Sequence, residues 1–386
     1  MALEKINGIE VISSKNYSLQ IEKEASDQKP LEQLPYITSS MLDGVNTCPK
    51  RGILRNVLRK TFTTGYRQMA LEAGSLMHDV FSVLNLYQVG YIQDLPDHMN
   101  YHGKKEFGTS RWNYISQTPI QKYNDNVLDE ATFLEALCLN TIGSSDFVDD
   151  PSDTKRTLAN LETSTIQLID YWLHNISQLN IYIEDKNNPE CVIGHEMSID
   201  TVITVELEDI TTGEISYFSY RFVGLADAVY QTSNGKFKLG EFKTASTTND
   251  AWRMAFETRH QITGYNLGLR GLFPYEKIDD ECLLIGQAIP LLKTRANNLH
   301  FPTYREPSHY KAFANACINA LKVIEDYRDY PHLAPMFTHS CNAYFRPCAY
   351  LDVCTSAEED QIAMIDQMVK NEELSPSEEK AFKRNE

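Results

Sequence analysis

The stretch Gly224-Leu225-Ala226-Asp227-Ala228-Val229-Tyr230-Gln231-Thr232-Ser233-Asn234-Gly235-Lys236-Phe237-Lys238-Leu239-Gly240-Glu241-Phe242-Lys243 sets the reading of this chain. Two runs rich in β-branched and aromatic residues, 217–230 and 237–243, flank the turn residues Ser233-Asn234-Gly235, the pattern of a β-hairpin. Its register decides the chemistry. A three-residue loop with Gly235 in the left-handed conformation sets residue 232 against 236. Asp227 then falls directly opposite Glu241, with both side chains on one face. A strict two-residue turn at Asn234-Gly235 would set Asp227 against Phe242 and send the two carboxylates to opposite sides. We take the three-residue loop, or a bulge of equal effect, as the expectation.

Opposed residues of such a ladder lie about 4.5–5.5 Å apart at Cβ, so the carboxylates can share one divalent cation; without it their like charges would destabilise the pair. Lys243 shares that face, while Phe242 points into the core. A hard-cation site beside an ammonium suits phosphodiester hydrolysis. The metal lowers the pKa of bound water, and the lysine orients that water or offsets charge in the transition state.

Outward from the hairpin, strand patterns precede it at 192–199 and 202–207. A helix at 249–272, an apolar strand at 282–292 and a helix at 310–327 follow. This β-β-β-α-β-α order predicts an α/β fold, a mixed β-sheet flanked by helices. Upstream, helical patterning runs from the Thr38-Ser39-Ser40 cap cluster through Leu58 and again over 69–86, and two further helical patterns, 128–139 and 155–176, lie in a helical insertion. The expected organisation is a flexible N-terminal arm (1–35), N-terminal helices (36–86), the insertion (87–185), a core (186–330), a cysteine segment (331–355) and an acidic tail (356–386). No repeat and no Walker-type phosphate loop occurs, so no ATP-driven motor is encoded.

The 386 residues carry 36 basic and 53 acidic side chains, a net charge of −17, which argues against a general nucleic-acid binder. The charge is segregated, however. Residues 48–67 hold Lys50, Arg51, Arg55, Arg59, Lys60 and Arg67 with no acid, whereas 356–386 hold nine acids against four bases. No apolar run reaches the roughly 20 residues needed to span a bilayer, and no export signal opens the chain. A cytoplasmic, membrane-free protein is the expectation. In a reducing compartment, eight cysteines point to metal or cluster ligation more than to disulfides.

Four short motifs stand in order: Gly74-x-x-x-His78, Gly224-x-x-Asp227, Glu241-x-Lys243 and Gln261-x-x-x-Tyr265. Each alone is weak. Together they resemble the PD-(D/E)XK nucleases and, within them, the RecB-like, Cas4-like group that includes the AddB nuclease domain, over roughly residues 38–355 without the insertion. The resemblance implies a restriction-endonuclease-like fold and a metal-dependent deoxyribonuclease using Mg²⁺ or Mn²⁺. It makes His78, Asp227 and Glu241 the metal ligands and Lys243 the catalytic lysine. Gln261 and Tyr265, one turn apart on a helix, would hold the substrate backbone or the lysine. Glu196, on the first strand, is a further neighbour of the site.

Cys341, Cys348 and Cys354 cluster near the end of the patterned sequence, and Cys48 stands near its start. In the group this chain resembles, one N-terminal and three C-terminal cysteines bind a 4Fe–4S cluster. Here the first spacing of the three is six residues rather than two, and the final spacing of five is kept. Zn²⁺ would use the same four thiolates. Cys138, Cys191, Cys282 and Cys317 read as core. Just after Cys48, Lys50 with Arg51, Arg55 and Arg59 at i, i+4, i+8 predicts a helical stripe that tracks DNA phosphates. Arg253, Arg259 and Arg270 could extend it, and Tyr66, Trp112 and Tyr114 are candidate stacking residues.

The functional expectation is a single-strand-directed exonuclease, acting on DNA with a free end in recombination, repair or viral DNA metabolism, with any helicase a separate chain. The alternative is a catalytically silent Fe–S protein that uses the same fold to bind DNA or assemble with a partner.

Overall fold

The computed structural model describes residues 8–24, 29–62, 69–88, 129–143, 145, 147–183, 194–289, 298–341 and 347–370. In chain order the regular elements are β1 (Ile9–Ser13), α1 (Ser14–Glu24), β2 (Tyr36–Thr38), α2 (Ser39–Thr47), α3 (Pro49–Gly52), β3 (Lys60–Thr61), α4 (Met69–Gln88), α5 (Glu130–Gly143), α6 (Leu158–Asn175) and β4 (Asn180–Ile181). There follow β5 (His195–Glu208), β6 (Ile215–Gln231), β7 (Phe237–Ala245), α7 (Asp250–Met254), α8 (His260–Leu272), β8 (Glu281–Ala288), β9 (Asn298–Tyr304), α9 (Pro307–Tyr327), α10 (Leu351–Thr355), α11 (Glu358–Gln367) and β10 (Val369–Lys370).

The main sheet runs β1-β5-β6-β7-β8-β9, with β2 and β4 also paired to β6. β7 and β8 are parallel, as are β2 and β6, and the other pairs are antiparallel, so the fold is α/β with a mixed sheet. Helices cover both faces. On one, α4, α5 and α6 set Phe81, Phe133, Leu137 and Trp172 against Ala228, Tyr230, Phe242 and Ile285. On the other, α2, α8 and α9 set Leu42, Leu269 and Phe313 against Ile199, Phe222, Leu239 and Leu284. With both faces buried, the central strands read as nearly continuous apolar runs. Among the described residues no helix is long and apolar enough to cross a membrane.

The structure departs from the sequence reading in five places. The arm expected to be flexible over 1–35 contributes β1, which pairs along β5 from Ile9↔Val205 to Ser13↔Thr201, and its Ile9 and Tyr17 are buried. The strands expected at 192–199 and 202–207 are one strand, β5. The helix expected over 249–272 breaks between Met254 and His260. The strand β9 had no counterpart in the pattern reading. Finally, α5 and α6, from the stretch read as an insertion, pack on the sheet itself and complete the core around α4.

Candidate active site and cysteine corner

The hairpin turn is the three-residue one. Gly235 has φ +78°, its N–H donates to Thr232 O, and Thr232 N–H bonds Lys236 O, setting 232 against 236. The β6–β7 ladder runs from Gln231↔Phe237 to Ala228↔Gly240, so the next opposed pair is Asp227 and Glu241. There the strands part. β7 continues alongside β8, while β5 occupies the other edge of β6. In the gap, the Phe242 N–H finds no strand partner and donates to Asp227 Oδ2 at 2.8 Å. A carboxylate thus does the work of the missing ladder carbonyl, which fixes its position at the fork.

Phe242 is fully buried and stacks on Phe81, its centroid 4.5 Å away, so its side chain anchors β7 on the α4 face. His78 of α4 packs edge-on against the same ring and lies 3.8 Å from Asp227, Nδ1 to Oδ1. Gly74, one turn earlier, lets α4 approach β7 closely: a Cβ there would meet Thr244 Oγ1 at 2.9 Å. Ser82, one turn after His78, donates to Glu196 Oε1 at 3.4 Å. Glu196 is buried, has φ +43°, and lies across from Asp227 between the pairs His195↔Ala228 and Met197↔Ala226. The three acids Glu196, Asp227 and Glu241 therefore occupy one row across β5, β6 and β7.

The Lys243 ammonium sits 2.5 Å from Glu241 Oε1, and the Glu241 side chain is only 1% exposed. Glu241 Oε2 is buried and has no hydrogen-bond partner among the described residues. Burial and the Asp227 charge push the Glu241 carboxyl up to about 8, against the pull of Lys243. Burial works against the Lys243 ammonium, but Glu241 and Asp227 outweigh it and hold it charged beyond the ordinary lysine range.

From the opposite face, Gln261 Nε2 reaches Tyr265 Oη at 3.4 Å. Burial and Glu241 push the Tyr265 phenol up to about 12. Gly224 exists to admit this ring, because a Cβ at 224 would come within 2.3 Å of Tyr265 Cε1. The Gly-x-x-Asp and Gln-x-x-x-Tyr motifs are thus two halves of one contact. Asp43 of α2 belongs to the same neighbourhood: burial pushes its carboxyl up, and Arg259, His260 and Lys243 pull it down. The sequence reading missed Asp43, since it lies nearly 200 residues upstream in an ordinary amphipathic helix and no spacing rule links it to the hairpin.

The cysteine corner is assembled differently. Cys48 is the extended residue, φ −162°, that separates α2 from α3. Cys348 N–H bonds Cys341 O at 2.7 Å, and the Lys50 N–H bonds Pro335 O, which joins the two chain regions. Burial pushes the Cys354 thiol up and Lys50 opposes it; Cys48, Cys348 and Cys341 all lie close enough to raise it further. All four are free thiols, Cys48 buried and the others half-buried. Among the described residues, no three His, Cys, Asp or Glu side chains stand in a ready-made metal cage, here or at the fork. Cys138, Cys282 and Cys317 are buried core residues, and Cys191 lies outside the described residues.

The basic stripe needs correction. The helix stops at Cys48, restarts at Pro49, widens into a π turn over Ile53–Val57 and ends before Arg59, whose φ is +54°. Arg51, Arg55 and Arg59 therefore do not form an i, i+4, i+8 row. Lys50 is 6% exposed and donates to Gln361 Oε1 at 3.0 Å, so it faces α11 rather than solvent. Arg55 is exposed. Arg270, a candidate extension, is buried against Asp280 and Tyr310. Tyr66, Trp112 and Tyr114 lie outside the described residues.

No family model and no curated protein matches this chain. Among solved structures, one described as "Crystal structure of SSO0001" is similar at 11% identity over 71% of this chain and 96% of that one, with a TM-score of 0.24. That likeness is too loose to bear on fold or function.

Proposed function

We propose that this chain is a divalent-metal-dependent deoxyribonuclease of the RecB-like PD-(D/E)XK kind. The observation that supports the reading best is the fork, where Asp227 and Glu241 directly follow the last ladder pair and the Lys243 ammonium lies 2.5 Å from Glu241. The donors fit a hard cation. Glu241 offers a buried oxygen without a hydrogen-bond partner, Asp227 a second carboxylate and His78 an imidazole nitrogen 3.8 Å from it. Mg²⁺ or Mn²⁺ would be held by Asp227, Glu241 and His78, and when bound supplies Lewis acidity and an acidified water. Lys243, kept protonated, offsets negative charge growing on the phosphate oxygens. Tyr265 and Gln261 close the far side of the fork and hold β6 and its Asp227 against α8. At the corner, Cys48, Cys341, Cys348 and Cys354 would hold a 4Fe–4S cluster, or Zn²⁺, that ties the two chain regions together. Single strands or free ends are the proposed DNA substrate, in recombination or repair and alongside a separate helicase or recombination protein.

The test is Mn²⁺-dependent digestion of end-labelled single-stranded and duplex DNA by wild type and Lys243→Ala. The variant should lose about 10²–10³-fold in rate, the scale for removing one group aimed at developing charge. Equal cleavage by both, or none by either, overturns the reading in favour of a silent Fe–S DNA-binding or assembly protein.

A further inference from the structure

Arg259 is exposed at the N-cap of α8, and its guanidinium lies over the Phe256 ring, 5.0 Å from the centroid. Among the described residues it has no hydrogen-bond or ion-pair acceptor. A guanidinium held flat on an aromatic face keeps its donor edge free for a planar or tetrahedral oxyanion. The helix it opens has no capping side chain and no acid in its first turn, so its first N–H groups add to the positive potential at this end. This turn flanks the fork: its Gln261 contacts Tyr265, which packs on Gly224, three residues before Asp227.

An independent feature points into the same space. Glu241 Oε2 is a buried acceptor without a partner, and the Arg259 charge is felt at both Glu241 and Asp43 although no ion pair joins them. A cation without an acceptor on the rim, and a buried carboxylate with one oxygen paired to Lys243 and the other open, match a ligand that is anionic outside and cation-bound inside, which is what a phosphodiester at a metal site presents. We propose that Arg259, with the first turn of α8, grips a non-bridging phosphate oxygen of the nucleic-acid strand beside the acid row. The inference rests on the nuclease reading and makes Arg259 a backbone-reading, sequence-indifferent contact.

The experiment uses the full chain, a fluorescein-labelled oligothymidylate and Ca²⁺ in place of Mn²⁺, with binding followed by anisotropy from 50 to 200 mM salt. KM and kcat are then measured in Mn²⁺. Arg259→Gln should raise Kd and KM roughly tenfold and flatten the log–log salt slope by about 0.7, one single-strand phosphate contact. Arg259→Lys should keep the slope and lose only part of the affinity. Arg328 is the control, an exposed arginine just past the end of α9 beside Asp329 at 3.8 Å, and Arg328→Gln should behave as wild type. Wild-type Kd and slope in Arg259→Gln overturn this inference alone if Lys243→Ala is still inactive. A wild type that neither binds nor cleaves DNA overturns both. Should Arg259→Gln unfold, Arg259→Lys carries the test, since loss of slope with charge retained also overturns it.

Discussion

The fork and the cysteine corner each bring together residues from separate stretches of the sequence, by different means. At the fork the backbone does the placing. Asp227 and Glu241 come together just past the end of the ladder because a left-handed Gly235 fixes its register, and the strands are pinned on both faces by large buried cores. At the corner, Cys48 sits in a helix break, and the C-terminal segments rest on a small cluster of Leu54, Tyr350, Val353, Ile365 and Met368. The backbone ties there are short, the Lys50 N–H to Pro335 O and the two-residue β3–β10 ladder, and side chains add Lys50 to Gln361, Lys60 to Ile365 O and Tyr350 to Lys60 O. A site fixed by a long register stands before any ligand arrives, whereas one held by a two-residue ladder and a few scattered ties draws its integrity from whatever bridges its thiols.

The widest separation between the two should appear in paired variants. Asp227→Asn is expected to lower cleavage about 10³-fold while leaving the melting temperature close to wild type. Cys354→Ser should do the reverse, lowering the melting temperature while the rate per folded molecule stays within about twofold. End-label digestion and thermal melts on the same preparations decide it. A Cys354→Ser protein that is folded yet inactive would break the distinction.

Packing at the fork gives the next effect. Gly224→Ala pushes a methyl into the Tyr265 ring and should destabilise by about 1–3 kcal/mol, with a loss of activity as the ring is displaced. Gly143→Ala, at the end of α5 with nothing within 4 Å of the new methyl, should be neutral in both denaturant melts and digestion. A tolerated Gly224→Ala would mean that the tyrosine does not brace the strand.

The parts of this molecule that could be read in sequence are those the backbone alone determines. Ser233-Asn234-Gly235 announced the turn, because only a left-handed residue closes that loop, and the carboxylate pairing followed by counting. Gly224 and the Gln261–Tyr265 spacing were visible as motifs, but their meaning as one ring-on-glycine contact needed coordinates. The run from Lys50 to Arg59 misled because i+4 spacing is an argument only inside an unbroken helix. Pro49 was the warning: it fits the first turn of a new helix better than the middle of an old one. Asp43 and Arg259 reach the fork through tertiary packing of α2 and α8, which no local pattern encodes.

Lys50 and Arg55 sharpen the comparison within the corner. Lys50 is buried and hydrogen-bonded to Gln361, so Lys50→Ala should cost about 1–3 kcal/mol, seen as a lower urea midpoint, with no change in the salt dependence of DNA binding. Arg55→Ala, at an exposed position, should change stability by less than about 0.5 kcal/mol. If Lys50→Ala instead flattened the salt slope and left the urea midpoint alone, the α11 contact would be incidental and the lysine a DNA ligand after all.

The smallest effect is a matter of pH. The folded chain holds a proton on Glu241 up to about 8, whereas the unfolded chain releases it in the ordinary carboxylate range. Between those limits the unfolded state binds fewer protons than the folded one, so this group's contribution to stability is complete at low pH and is lost as pH rises toward 8. In the presence of a chelator, the melting temperature of wild type should fall about 2–4 °C more between pH 5 and pH 8 than that of Glu241→Gln, which has no proton to lose. Mn²⁺ added at pH 8 should restore the difference in wild type and not in the variant, because a bound cation satisfies the carboxylate that the proton leaves. Cys354→Ser should keep the wild-type slope, since burial moves that thiol's titration upward, out of this window. Parallel slopes for wild type and Glu241→Gln would show that the buried acid is not strained by its setting, and the fork would then be no more poised for a cation than the corner.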